Sequence, residues 1–257
     1  MKRFYLYPKV ILFSLAMIFT IGCKKDKDEE KETPVFEEIS IDQEEILDNV
    51  PVGLKESTNE YASGLYSYIE SCVDMSTFIS TMTPPENAQK VNLKTSQVTY
   101  KWSISYQDGT LAYYWTYHED ATKDYWDMEI QFNDGPKYPY ITAWQLKDGS
   151  QGEINFNFNW VYAQYEMEDF DDIYYTYTWK ITSAGKYYFD YYVESNDDIA
   201  DYALHLSLVL NEDGSGTFNY YSADVLFYSY LWDSYGNGSY TYYLMEPPIT
   251  GTWTVTK

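Results

Sequence analysis

Gln97-Val98-Thr99-Tyr100-Lys101-Trp102-Ser103-Ile104-Ser105-Tyr106 is the stretch on which the fold turns. Tyr100, Trp102, Ile104 and Tyr106 alternate with Lys101, Ser103 and Ser105, a period of two that fits a strand with one buried and one wet face. The alternation continues almost to Lys257. Trp126, Met128, Ile130 and Phe132 alternate with Asp127, Glu129 and Gln131. Ile154, Phe156, Phe158 and Trp160 alternate with Asn155, Asn157 and Asn159, and Leu204 to Leu210 alternate with His205 and Ser207. Turn residues punctuate these runs at Gln107-Asp108-Gly109, Asn133-Asp134-Gly135, Lys147-Asp148-Gly149, Ala184-Gly185, Glu212-Asp213-Gly214 and Gly236-Asn237-Gly238. Such spacing predicts about twelve strands joined by short antiparallel connections.

The runs are also similar to one another. Tyr100-Lys101-Trp102 matches Tyr177-Thr178-Trp179, Asp148-Gly149-Ser150 matches Asp213-Gly214-Ser215, and a further copy begins at Tyr230-Leu231-Trp232. Repetition of hairpins favours one large meander over two unrelated domains. A sheet with one apolar face needs a cover, and closure into a barrel or a helix laid across a curved sheet are the two economical solutions.

Upstream, the period is helical. Tyr61, Leu65, Tyr68, Cys72, Met75, Ile79 and Met82 recur by fours and threes, with Ile69 and Phe78 widening the stripe. This predicts one amphipathic helix over 57–82, opened by a Ser57/Glu60 capping box and stopped by Thr83-Pro84-Pro85. The expected fold is therefore mainly β: one large curved antiparallel meander, half-barrel or barrel, with one long N-terminal helix packed on it.

The first residues have a different character. Lys2, Arg3 and Lys9 precede an apolar run from Val10 to Phe19, and small Gly22 stands before Cys23. The basic start and short apolar run follow the plan of a secretory signal and fall short of the ~20 residues that span a bilayer. Thr20-Ile21-Gly22-Cys23 resembles a lipobox, with threonine where leucine is usual. The resemblance implies cleavage before Cys23 and lipid on its thiol, hence attachment to a membrane. Lys24 to Glu30 contains no apolar side chain and predicts a solvated tether. Its lysine-then-acid pattern resembles the export signal of Bacteroidetes surface lipoproteins, which implies display on the outer membrane's outer leaflet. The expected organisation is a signal over 1–22, a lipidated cysteine and acidic tether over 23–49, and one helix-plus-sheet domain over 50–257.

Composition narrows the partners. The chain has 17 basic and 40 acidic side chains, net −23, and loss of the first 22 residues would remove three bases and no acid, giving −26. Phosphate backbones are repelled by such a surface, so nucleic acid is not an expected partner. Arg3 is the sole arginine, which removes the usual bidentate clamp on phosphate or carboxylate. With Cys23 lipidated, Cys72 stands alone among apolar helix positions and reads as a buried, inert thiol.

The lipid-type start, the helix ending in Pro-Pro and the Tyr-x-Trp strands with Asp-Gly-Ser turns together resemble a family of Bacteroidetes outer-membrane lipoproteins of unassigned activity. More distantly, the order of elements is similar to LolA-type half-barrels and to lipocalin-like barrels. Neither resemblance assigns an active residue.

No metal, cofactor or nucleophile motif stands out. His118 and His205 lack the spacing of a helical zinc site, and there is neither a Gly-x-Ser-x-Gly elbow nor a phosphate loop. Asp127, Asp190, Glu129 and Glu194 share polar strand sides with the histidines and offer acid–base chemistry in principle. The distinctive material is aromatic, 20% of the chain with 31 tyrosines. Tyr114, Tyr174, Tyr188 and Tyr192 fall on the polar sides, as do Asn155, Asn157 and Asn159, and rings with hydroxyls suit a sugar or a protein surface. The expectation is a non-enzymatic, cell-surface lipoprotein binding a protein partner, a glycan or an apolar ligand. A carboxylate-dependent, glycosidase-like hydrolase and a purely structural coat protein are the alternatives.

Overall fold

The structure, a computed structural model, describes residue 39 and residues 41–80, 83–94, 97–106, 109–158, 173–195 and 203–255. Among these, thirteen strands form one antiparallel sheet in chain order. They are β1 (Gln89–Lys94), β2 (Gln97–Tyr106), β3 (Gly109–Glu119), β4 (Lys123–Phe132), β5 (Lys137–Leu146), β6 (Gln151–Asn157) and β7 (Ile173–Ile181). The meander continues with β8 (Tyr187–Ser195), β9 (Leu204–Leu210), β10 (Gly216–Ser222), β11 (Val225–Trp232), β12 (Gly238–Tyr242) and β13 (Ile249–Trp253). Among the described residues β1 pairs only with β2 and β13 only with β12, so the sheet is not closed into a barrel.

Helical residues are divided among α1 (Gln43–Asp48), α2 (Val52–Lys55) and α3 (Glu60–Ser80), where the sequence predicts one helix. Asn59 replaces the predicted Ser57 as the cap of α3: its Oδ1 accepts from the amides of Tyr61 (3.0 Å) and Ala62 (3.3 Å). Ser57 Oγ accepts instead from the amide of Asn59, tightening the approach. α1 falls inside the predicted tether. Asp42 caps it, and Ile39, Ile46 and Val50 are buried, because these spaced apolar residues seal the end of the sheet. There Asn49 Nδ2 donates to Asn211 O at 3.0 Å, and the backbone of α2 abuts Tyr235 and Gly236.

α3 buries Ala62, Leu65, Ile69, Cys72 and Val73. Tyr61 stacks on Tyr240 of β12 at 4.0 Å, Tyr68 on Phe218 of β10 at 5.0 Å, and Tyr177 of β7 donates its hydroxyl to Cys72 O at 3.0 Å. The helix thus crosses the strands from β12 towards β7. The side chains of Met75, Phe78 and Ile79, and Met82 as a whole, lie outside what is described.

The repeat has a physical basis in the turns. Asp148 accepts from Ser150 N (3.0 Å) and Oγ (2.6 Å), and Asp213 does the same for Ser215 at the same two distances. Two strands further along the meander from the first turn, Trp179 Nε1 donates to Gly149 O. Trp232 Nε1 likewise reaches Gly214 O and Trp253 Nε1 reaches Gly236 O. Each indole lies on a glycine of the strand leaving its turn: a Cβ added at Gly152, Gly216 or Gly238 would sit 2.1–2.3 Å from the ring. Turn, glycine and tryptophan therefore form one interlocked unit, used three times.

Candidate functional site

Register decides what the outward face of the sheet presents. Tyr177 and Trp179 point into the core, so Thr176 and Thr178 point out, and directly paired residues of antiparallel strands share a face. One outward row crosses Asp127, Thr142, Asn155, Thr176, Tyr192, His205 and Tyr221. The next row, two residues along, crosses His118, Tyr125, Trp144, Glu153, Thr178, Asp190 and Ser207.

Large rings fall at different places in the two rows. On β8–β10, His205 is held between Tyr192 (4.1 Å, 10° between planes) and Tyr221 (5.0 Å, 13°). On β3–β5, His118 stacks on Tyr125 (4.7 Å, 5°), and Lys123 Nζ lies 3.5 Å from the centre of the Trp144 ring. Residues paired across strands about 4.8 Å apart stack in this way only if their rings stand upright on the sheet. Two aromatic walls are the result. Offset by two residues along the strands, the walls stand on either side of β6 and β7, which in these two rows present Glu153, Asn155, Thr176 and Thr178. This non-aromatic strip is a trough whose bordering strands β5 and β8 are three strand spacings, about 14 Å, apart.

The trough floor is a connected polar set. Thr176 Oγ1 donates to Asn155 Oδ1 at 2.8 Å, and Asn155 Nδ2 donates to Glu153 Oε1 at 2.7 Å. One N–H of the Asn155 amide and lone pairs of Glu153 remain for a ligand. Each wall carries a histidine–carboxylate pair: His205 Nε2 is 2.8 Å from Asp190 Oδ1, and His118 Nδ1 is 3.7 Å from Asp127 Oδ2. Asp127 is held above the usual carboxylate range, chiefly by burial and further by the nearby Glu129 charge, with His118 opposing both. Stacking on His205 uses one face of Tyr192. On its other side Tyr192 is paired with Thr176 of β7.

The tyrosines and asparagines singled out in the sequence divide across this face. Asn155 and Tyr192 flank Thr176 in the trough, and Asn157 pairs with Tyr174 one row away. Tyr188 lies nearer the β7–β8 turn, with Lys186 Nζ 5.0 Å from its ring. Tyr114 is remote, on β3, between Lys101 (5.1 Å) and Lys137 (3.4 Å), and its hydroxyl donates to Gln131. Asn159 lies outside the described residues, as does Cys23.

Glu129 is paired with Lys137 at 3.0 Å, while Asp190 holds His205. Sequence reasoning missed Tyr125, Trp144, Glu153 and Tyr221. Only strand register places them, although the alternation of Thr142 and Trp144 with Ile141 and Ala143 carried the signal. Cys72 is buried in the core face, and burial pushes its thiol up to about 12, so the described site contains no nucleophilic sulfur. Among the described residues no group of three or more His, Cys, Asp or Glu could hold a metal ion. Comparison with family models, with curated proteins and with solved structures gives no match.

Proposed function

We propose that this chain is a lipid-anchored surface protein of the bacterial outer membrane that binds a glycan segment in the trough without turning it over. The observation that carries the binding reading is Tyr192: its ring is braced by His205 on one side, and its neighbour on the other, Thr176, begins a chain of hydrogen bonds through the Asn155 amide to the Glu153 carboxylate. A pyranose offers an apolar face bordered by hydroxyls, which matches a ring beside fixed donors and acceptors. The anchor reading is supported by Gly22-Cys23 after a short apolar run and by the charged stretch that follows. No described helix is long and apolar enough to cross a membrane, and an acyl anchor requires none.

Two experiments test this. In cells fed a fatty-acid probe, the wild-type chain takes up label and Cys23→Ala takes up none; equal labelling defeats the anchor. On polysaccharide arrays followed by calorimetry, Tyr192→Ala weakens binding about tenfold, or about 1.4 kcal/mol, with far-ultraviolet dichroism unchanged. Hydrolysis of a bound glycan that disappears in Asp190→Asn would replace binding by catalysis.

A further inference from the structure

Among the described residues the two edge strands of the sheet, β1 and β13, differ. β1 carries Lys90, and its register with β2 breaks between Lys90 and Asn92, both of which blunt an edge against pairing. β13 has neither device. Residues 247–256 contain no charged side chain, in a chain whose net charge is −23. Ile249, Thr250 and Thr252 are exposed, and β12 is the only strand paired with β13 among the described residues. Exposed apolar side chains gather around this edge: of the ten large ones among the described residues, seven lie between Val225 and Ile249.

We propose that β13 pairs with β13 of a second copy of this chain, antiparallel about a twofold axis through Gly251. The sequence of the strand is self-complementary in that register. Thr250 faces the other copy's Thr252 on the outward side, and Ile249 faces Trp253 on the core side, continuing both faces of the sheet unbroken. Thr–Thr and aliphatic–aromatic cross-strand pairs are favourable ones. A twofold contact is isologous, so each feature at one end of the edge meets whatever lies at the other end.

Here the two ends match. Tyr243, Leu244 and Met245 are exposed in the β12–β13 loop, 42%, 61% and 60% respectively, and Tyr243 N is tied to Phe227 O at 2.8 Å. At the opposite end, Val52 and Tyr235 are 62% and 64% exposed, and Gly53 brings α2 against the Tyr235 carbonyl. The antiparallel arrangement sets the loop of each copy beside Val52 and Tyr235 of the other. A five-residue strand alone falls short of the ~800 Å² per partner of a standard interface, so these flanks are needed for a stable dimer. Repulsion between two acidic bodies opposes the contact, and salt screens it.

Sedimentation of the whole chain in mild detergent, from about 1 to about 100 µM, reads the result. The wild-type protein is expected to double its mass within that range, at lower concentration in about 0.5 M than in about 0.05 M salt. Thr250→Lys/Thr252→Lys sets lysine against lysine at the axis and is expected to remain monomeric. Thr250→Lys/Thr252→Glu, whose new charges attract across the same axis, is expected to dimerise and shows that the exposed positions tolerate substitution. A wild-type monomer at every concentration overturns the proposal. So does a dimer that survives the double lysine change, or a monomeric Lys/Glu variant.

Discussion

Trp232 and Trp115 are each 2% exposed, on the same face of the same sheet, yet only Trp232 has a use for its N–H. Trp232 Nε1 reaches Gly214 O at 2.8 Å, whereas Trp115 Nε1 is buried without a hydrogen-bond partner among the described residues. The contrast extends to the regions around them. From the β5–β6 turn to β13 three tryptophans clasp the turns, and α3 lies over β7–β12. Around β3 and β4, Trp115, Trp126, Met128 and Ile130 are held by apolar packing, and the buried polar contact is of another kind: Tyr117 and Lys147 both bond Asp124. One sheet is thus stabilised in two ways, by repeated turn locks in its later part and by burial in its earlier part.

The largest expected effect tests whether the two regions fold as one. Ile69 is fully buried at the middle of α3. Ile69→Asp leaves a charge there without a partner, at a cost of several kcal/mol, enough to unfold a domain of ordinary stability. Hydrogen exchange reports the extent. Loss of protection in β2–β5 together with β7–β12 is expected if the continuous ladder makes the sheet cooperative; protection retained in β2–β5 alone would show two independent units. The wild-type protein separates permanent cover from a movable plug. Amides from Leu65 to Val73 should be as protected as those from Leu204 to Leu210, and fast exchange confined to the helix would mean that it lifts.

Alkaline pH should act next, and mostly on the locked region. Burial raises the phenols of Tyr175, Tyr177, Tyr191 and Tyr230 there, whereas in β5 it raises Tyr140 to about 12. A phenol whose folded value exceeds its unfolded value near 10 contributes stability fully below pH 10 and loses it as pH climbs towards the folded value. Unfolding is therefore expected between pH 10 and about 12, with tyrosinate absorbance rising in a cooperative step as dichroism falls. Gradual ionisation near pH 10 with dichroism intact would contradict the burial of these hydroxyls.

Much of this architecture was legible in the sequence because alternation and turn chemistry are local. Asp148-Gly149-Ser150 and Asp213-Gly214-Ser215 declare both a turn and a repeat. What a local pattern cannot carry is register: nothing near Trp144 says that Tyr125 stands beside it, or that Glu153 and Asn155 share a floor with Thr176. Helix division was missed for a related reason, since Ile46 and Val50 are too few to show a period and are buried only because distant turns meet them. The catalytic candidates suffered in the same way, with Asp190 reaching His205 through a strand pairing that no spacing reveals.

The smallest effect is the sharpest test of the comparison. Replacing either tryptophan by phenylalanine removes a similar volume from a sealed site, so the packing losses should be alike, about 1–2 kcal/mol each. The polar consequences have opposite signs. Trp232→Phe strands the buried Gly214 carbonyl and adds about 1–3 kcal/mol of cost, while Trp115→Phe removes an N–H that already bears that penalty. Urea midpoints should fall clearly for Trp232→Phe and little for Trp115→Phe, a gap of about 2–6 kcal/mol at unchanged m-value. Equal losses would mean that an acceptor reaches Trp115 Nε1 in solution, a buried water or a ligand atom. The earlier region would then possess a polar anchor of its own, and the division between locked and merely packed strands would fail.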